Sequence, residues 1–161
     1  AEAIALLQDA QRLSDRRVAG PYLAQAYFYA GNVSMAERLA GELVARGSGS
    51  SASRAGAALA SFLAHRGERG RALKLVRLAE GGLVDHHVAY SLGAAHAQLR
   101  QPGEAVRWLR TAALTGFRCY PWFARDPLLD PIRSEAAFRA LLTELKAAWQ
   151  RDRDRFAAGL P

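Results

Sequence analysis

His86 and His87 follow directly on Asp85. The trio invites a metal-binding or general-base reading, because imidazole and carboxylate hold divalent ions and move protons near neutral pH. Its spacing argues against both. Neighbouring residues on a helix project about 100° apart, so two adjacent histidines do not readily share an ion with the aspartate before them. A pair four residues apart would converge, and none of the four histidines has one. His96 is expected to fill an aromatic core position instead. No metal ligands and no cofactor are expected. No motif supports a Ser/His/Asp or Cys/His arrangement, and no glycine-rich loop is shaped to cradle a phosphate. The expectation is a chain without catalytic residues.

Charge offers a different chemistry. The chain carries a net charge of +7 over 161 residues, almost all of its positive charge being arginine. Such a balance fits an electrostatic footprint for nucleic acid or an acidic partner. The arginines are scattered, however, and the densest cluster, Arg151 to Arg155, alternates with Asp152 and Asp154. A solvated, arginine-rich surface is the preferred reading. Cys119 is alone, so no intrachain disulfide can form. A reducing, cytoplasmic setting fits. The most hydrophobic stretch, Ala55–Ala64, is about half the roughly 20 residues that a membrane span needs. The chain opens at Ala1 inside an expected helix, and a fragment of a longer protein or a processed chain is expected.

The elements that would position these groups are helical. Half of the residues are apolar, with alanine and leucine dominant. An opening helix is expected over about 2–13. Arg16, Arg17 and Gly20-Pro21 read as a link, with Pro21 suited to the first turn of a helix over about 21–30. Gly31-Asn32 turns the chain, and Asn32 can cap a helix over about 33–46. The run Gly47-Ser48-Gly49-Ser50-Ser51 reads as a loop. Helices over about 53–65 and 68–79 follow, the second turning Ala72, Leu75, Val76 and Ala79 inward. Pro102 and Gly116 bracket another helix. Asp126 to Pro131 reads as one short helical turn between prolines. The last helix, about 135–156, carries Phe138, Leu141, Leu142, Leu145 and Trp149 as a one-sided stripe.

The same pattern recurs at Leu23-Ala24, Leu59-Ala60 and Leu92-Gly93. The leucines lie 36 and 33 residues apart (59 − 23 and 92 − 59). Periods of this size mark stacked supersecondary units that bury their apolar faces against one another. The first unit supplies Tyr27, Gly31, Ala36 and Leu43 after its leucine. The second supplies Leu63, Gly67, Ala72, Val76 and Ala79, and the third His96, Ala105, Leu109 and Ala112. These residues resemble the tetratricopeptide repeat. His96 and Leu63 depart from the usual tyrosine, Arg100 from the turn glycine and Leu43 from the last alanine. The resemblance implies an all-α fold: a right-handed α-α superhelix of helix-turn-helix repeats with a C-terminal capping helix. Residues 1–16 would be the second helix of a truncated preceding repeat plus a link. Residues 17–119 would be three repeats, about 17–50, 53–86 and 86–119. Residues 120–161 would be an irregular aromatic and proline-rich segment and the capping helix. Gly116-Phe117, Tyr120 to Phe123 and Asp126 to Leu129 also resemble the closing segment of repeat regions in bacterial multidomain signalling proteins, which carry kinase, cyclase or winged-helix domains.

The resemblance implies a protein–protein interaction scaffold whose leading helices line a groove for a peptide or protein segment. The groove residues it implies are Gln25, Phe28 and Tyr29, then Arg54, Ser61 and His65, then His87, Tyr90, Ser91 and Gln98. The Lys/Asn clamp for a C-terminal carboxylate is absent, since Pro21, Gln25, Ala57, Ser61, Tyr90 and Ala94 occupy its places. Replacing Tyr29 and Tyr90 with alanine is expected to abolish capture and leave helicity intact. The rival is an RNA-reading pentatricopeptide-like array, which the basic charge favours and the uneven period opposes. Salt-dependent nucleic-acid binding separates the two. A third reading is a homodimer formed through the apolar edge at 1–13. Neither nucleic acid nor a membrane is the expected partner.

Overall fold

Glycines and prolines cut an alanine- and leucine-rich sequence into consecutive helices. In the computed structural model, which describes residues 2–13, 16–47, 49–157 and 159, these are α1 (Glu2–Leu13), α2 (Arg16–Tyr29), α3 (Val33–Arg46), α4 (Ser50–His65), α5 (Arg69–Glu80), α6 (His86–Gln98), α7 (Pro102–Leu114), α8 (Tyr120–Arg125), a 3-10 helix (Pro127–Ile132) and α9 (Ala136–Ala157). No strand occurs among the described residues. Ala1, and Ser48 of the expected Gly/Ser loop, lie outside them.

The turns repeat more faithfully than the sequence. Gly31, Gly67 and Arg100 adopt φ of 82°, 84° and 59°, at spacings of 36 and 33 (67 − 31 and 100 − 67). At each, the left-handed residue donates its N–H to the carbonyl three residues back: Gly31 to Phe28, Gly67 to Ala64, Arg100 to Ala97. The next residue reaches five back: Asn32 to Tyr27, Glu68 to Leu63, Gln101 to His96. This double bond closes the carbonyls that a helix end leaves unpaired. Glycine takes the left-handed conformation without steric cost, whereas Arg100 takes it against its Cβ.

Packing follows chain order. α4 touches α2, α3, α5 and α6, while α6 touches α4, α5, α7 and the 3-10 helix. Ala55, Ala57, Ala58 and Ala60 on α4 have no exposed surface, so small side chains let several helices approach one central helix. Gly93 does the same between α6 and α7, since a Cβ there would stand 2.7 Å from Leu109 Cγ. Phe62, Phe123, Phe138, Leu92 and Leu109 are fully enclosed. Burying each is worth about 1.5–3 kcal/mol. α9 lies on α7 and α8, burying Phe138, Leu141 and Leu145, with Leu142 and Trp149 half-buried on the same stripe.

Two helix starts differ from expectation. α2 begins at Arg16, not Pro21, and Pro21 lies inside it. A proline there removes one hydrogen bond. Ala19 and Gly20 are buried, and a Cβ on Gly20 would meet Leu43 Cδ1 at 2.9 Å, so packing against α3 holds the early turns in helix. α4 begins at Ser50 rather than about 53, with Ser51 buried and the Ser53 hydroxyl donating to the Gly49 carbonyl.

Candidate functional site

Residues spaced three, four and seven apart share one face of a helix. On α2 such a face carries Tyr22, Gln25 and Tyr29; on α6 it carries His87, Tyr90, Ser91 and Ala94. Together with Ser61 and Phe62 of α4 and Phe117, Trp122 and Leu128 of the closing segment, they line a recess of about 230 Å³. Its walls are mainly aromatic. Tyr22 meets His87 edge to face at 5.2 Å, and Tyr29 meets Trp122 in the same way at 5.0 Å. Such contacts fix ring orientation beyond what area burial provides. Gln25 Nε2 donates to Ser91 Oγ at 3.4 Å across the floor.

The closing segment enters this face. Asp126 is buried, and its Oδ2 accepts the hydroxyl protons of Tyr90 at 2.6 Å and Tyr29 at 2.9 Å. Its Oδ1 accepts the Leu128 N–H, capping the 3-10 helix. Gln98 Nε2 donates to the Leu128 carbonyl at 2.7 Å, and Arg133 reaches back to the carbonyls of Ala124 and Asp126. Burial pushes the Asp126 carboxyl above its ordinary range, against the lowering effect of the Tyr90, Leu128 and Tyr29 donors. Burial, reinforced by the Asp126 charge, pushes both phenols up, so they remain protonated donors.

The residues expected to form a groove therefore fall into different environments. Gln25, Tyr29, Ser61, His87, Tyr90 and Ser91 line the recess. Phe28 is a core residue stacked on Phe62 at 4.3 Å, and His65 meets its edge at 5.5 Å. His65 also faces Gln98 at 3.3 Å, and Gln98 holds the closing segment. Arg54 donates through Nε to Asp85 Oδ2 at 2.6 Å. Tyr29 and Tyr90 are anchors for Asp126, so their replacement by alanine would also loosen residues 126–128. The recess residues absent from the expected groove are Tyr22, Phe62, Ala94, Phe117, Trp122 and Leu128. Tyr22, Phe62 and Ala94 were within reach of the helical spacing, but the other three come from the closing segment.

Several polar groups of the recess have partners within the fold. The Ser61 hydroxyl donates to the Ala58 carbonyl at 2.7 Å, and Ser91 accepts from Gln25. Burial and the neighbouring His86 hold His87 below the usual imidazole range, so it sits neutral against Tyr22 and Phe117. Asp85 caps α6 by accepting the N–H groups of His87 and Val88. No helix among the described residues is long and apolar enough to cross a membrane. No protein-family model, curated protein or solved structure matches this chain.

Proposed function

We propose that this chain is a non-catalytic interaction scaffold of the tetratricopeptide type, its helical hairpins stacked in a right-handed superhelix. It would hold a short segment of another polypeptide on the face built by α2, α4 and α6. The carrying observation is the aromatic recess between those helices and the closing segment. Its volume is below the several hundred cubic ångströms usual for small-molecule sites. It suits one or two apolar side chains presented by an extended or helical peptide, with Gln25 and Ser91 available to its backbone. Neither lysine nor arginine is among the residues lining it, which disfavours a nucleic-acid backbone as ligand. In this reading the chain is the repeat region of a larger bacterial signalling or regulatory protein.

The test is selection of peptides from a displayed library, followed by mapping on the labelled protein. The reading expects selected peptides to carry an aromatic or aliphatic anchor and to shift the resonances of Tyr22 and His87. Tyr22→Ala should weaken them at least tenfold while the far-UV dichroism stays helical. Peptides that bind the variant as well as the parent would exclude the recess as the docking site. A second reading, self-association, draws on Leu6 of α1, Leu13 at its end and Val18 of α2, all exposed. Light scattering across a concentration series decides it.

A further inference from the structure

Away from the recess, α5, α6 and α7 bring together three side chains that no single helix could assemble. Glu80 ends α5, His96 is buried in α6, and Glu104 stands exposed in the first turn of α7. One donor atom from each lies within 4.8 Å of the other two. His96 Nε2 is 3.2 Å from Glu80 Oε1. Two ligands about 2.1 Å from one tetrahedral ion stand about 3.4 Å apart, so this pair is already at ligand spacing.

The surroundings point the same way. Gln101 presents its Oε1 to His96 Nδ1 at 2.7 Å, and a carbonyl oxygen can only accept. A neutral ring therefore carries its proton on Nδ1 and turns the Nε2 lone pair toward the Glu80 carboxylate. An acceptor faces an acceptor, and a positive centre between them resolves the conflict. A histidine donating its second nitrogen to a carbonyl oxygen is the usual outer arrangement of a metal ligand. Glu80 is oriented in turn, because Trp108 Nε1 donates to its Oε1 at 3.1 Å.

We propose that Glu80, His96 and Glu104 form a divalent transition-metal site, with zinc as its preferred ion and solvent completing the coordination on the Glu104 side. One imidazole and two carboxylates favour zinc over manganese, and the imidazole disfavours magnesium and calcium. The ion would tie the end of α5 to the pair α6–α7. Its competitor is Arg107, which donates to Glu104 Oε2 from Nε at 2.9 Å and from a terminal nitrogen at 2.6 Å. Such an exposed pair is weak and can yield its carboxylate.

The experiment is calorimetric titration of the metal-free protein with zinc, with magnesium as control, alongside 15N spectra of the histidine rings. Expected are one zinc per chain, no magnesium binding, an Nδ1–H tautomer for His96 before zinc, and an Nε2 shift confined to His96 after it. Glu104→Gln, on the surface, should lower zinc affinity at least tenfold without changing the metal-free melting temperature. Gln101→Leu should cost about 10–100-fold. Arg107→Met should tighten binding, which a purely structural role for these residues would not produce. The proposal is overturned if zinc does not bind at 100-fold excess or binds Glu104→Gln as tightly as the parent. It is equally overturned if the Nε2 proton of His96 persists at saturating zinc, because the cluster is then an imidazolium–glutamate pair.

Discussion

Asp85 and Asp126 do the same local job in two parts of the molecule, and their acidities shift in opposite directions. Each begins a helical segment, each uses Oδ1 to accept backbone N–H (two groups at Asp85, one at Asp126), and each turns Oδ2 to a distant partner. For Asp85 that partner is the Arg54 guanidinium at 2.6 Å, in a half-exposed position between α4 and α6. For Asp126 it is a pair of neutral phenols beneath the closing segment. Burial raises both acids. At Asp85 the Val88 and His87 N–H groups and the nearby cation outweigh it, and the carboxyl ends below its ordinary range. At Asp126 the two phenols, the Leu128 N–H and the Arg133 charge do not, and it ends above. A cap's sequence signature is thus silent about which way its acidity shifts, which burial and the distant partners set together.

Removing the Asp126 carboxylate should have the largest effect. Asp126→Ala leaves the buried Tyr90 hydroxyl and the part-buried Tyr29 hydroxyl without an acceptor and uncaps the 3-10 helix, and should cost about 3 kcal/mol or more in urea denaturation. A loss below about 1 kcal/mol would mean the closing segment is held by its apolar side chains alone. Next come the phenols, at about 1–2 kcal/mol each for Tyr90→Phe and Tyr29→Phe, with Tyr90, the more buried and shorter bond, the greater. Each replacement should also raise the Asp126 carboxyl further, readable by carboxyl-carbon NMR.

Acidity separates the two aspartates by sign. An ordinary aspartate in the unfolded chain titrates near about 3.9. Asp85 is lower than this when folded, so its stabilisation is complete above about pH 3.9 and disappears as pH falls through the folded value. Asp126 is higher when folded, so the native state holds its proton more tightly. Its contribution is greatest below about pH 3.9 and declines as pH rises through the folded value. Denaturation midpoints from pH 2.5 to 7 should therefore lose an acid-side slope in Asp85→Asn and an opposite slope in Asp126→Asn. Equal slopes in both would remove the contrast. The smallest effect belongs to Arg54→Met, about 0.5–1 kcal/mol, because its partner is already anchored by two backbone donors and open to solvent.

The sequence made the helices legible and their long-range partners illegible. Glycine at 31 and 67, Asn32 as a cap donating no proton but accepting from Met35 N–H, and the inward stripe of α5 all follow from rules that act within a few residues. The expected core position of His96 corresponds to a buried ring, yet its polar partners were invisible. A search for ligands along one helix face cannot find Glu80, His96 and Glu104, which converge only when three helices pack. Pro21 misled for a related reason: its local preference for a first turn was overridden by the contact of Gly20 with Leu43. The closing segment lacks any period, so nothing before the fold indicated that Asp126 would reach Tyr29, 97 residues away.

Because the turns at Gly67 and Arg100 share one backbone geometry, residues 68–100 begin and end on interchangeable seams. A tandem duplication of that cassette would join like to like at both junctions.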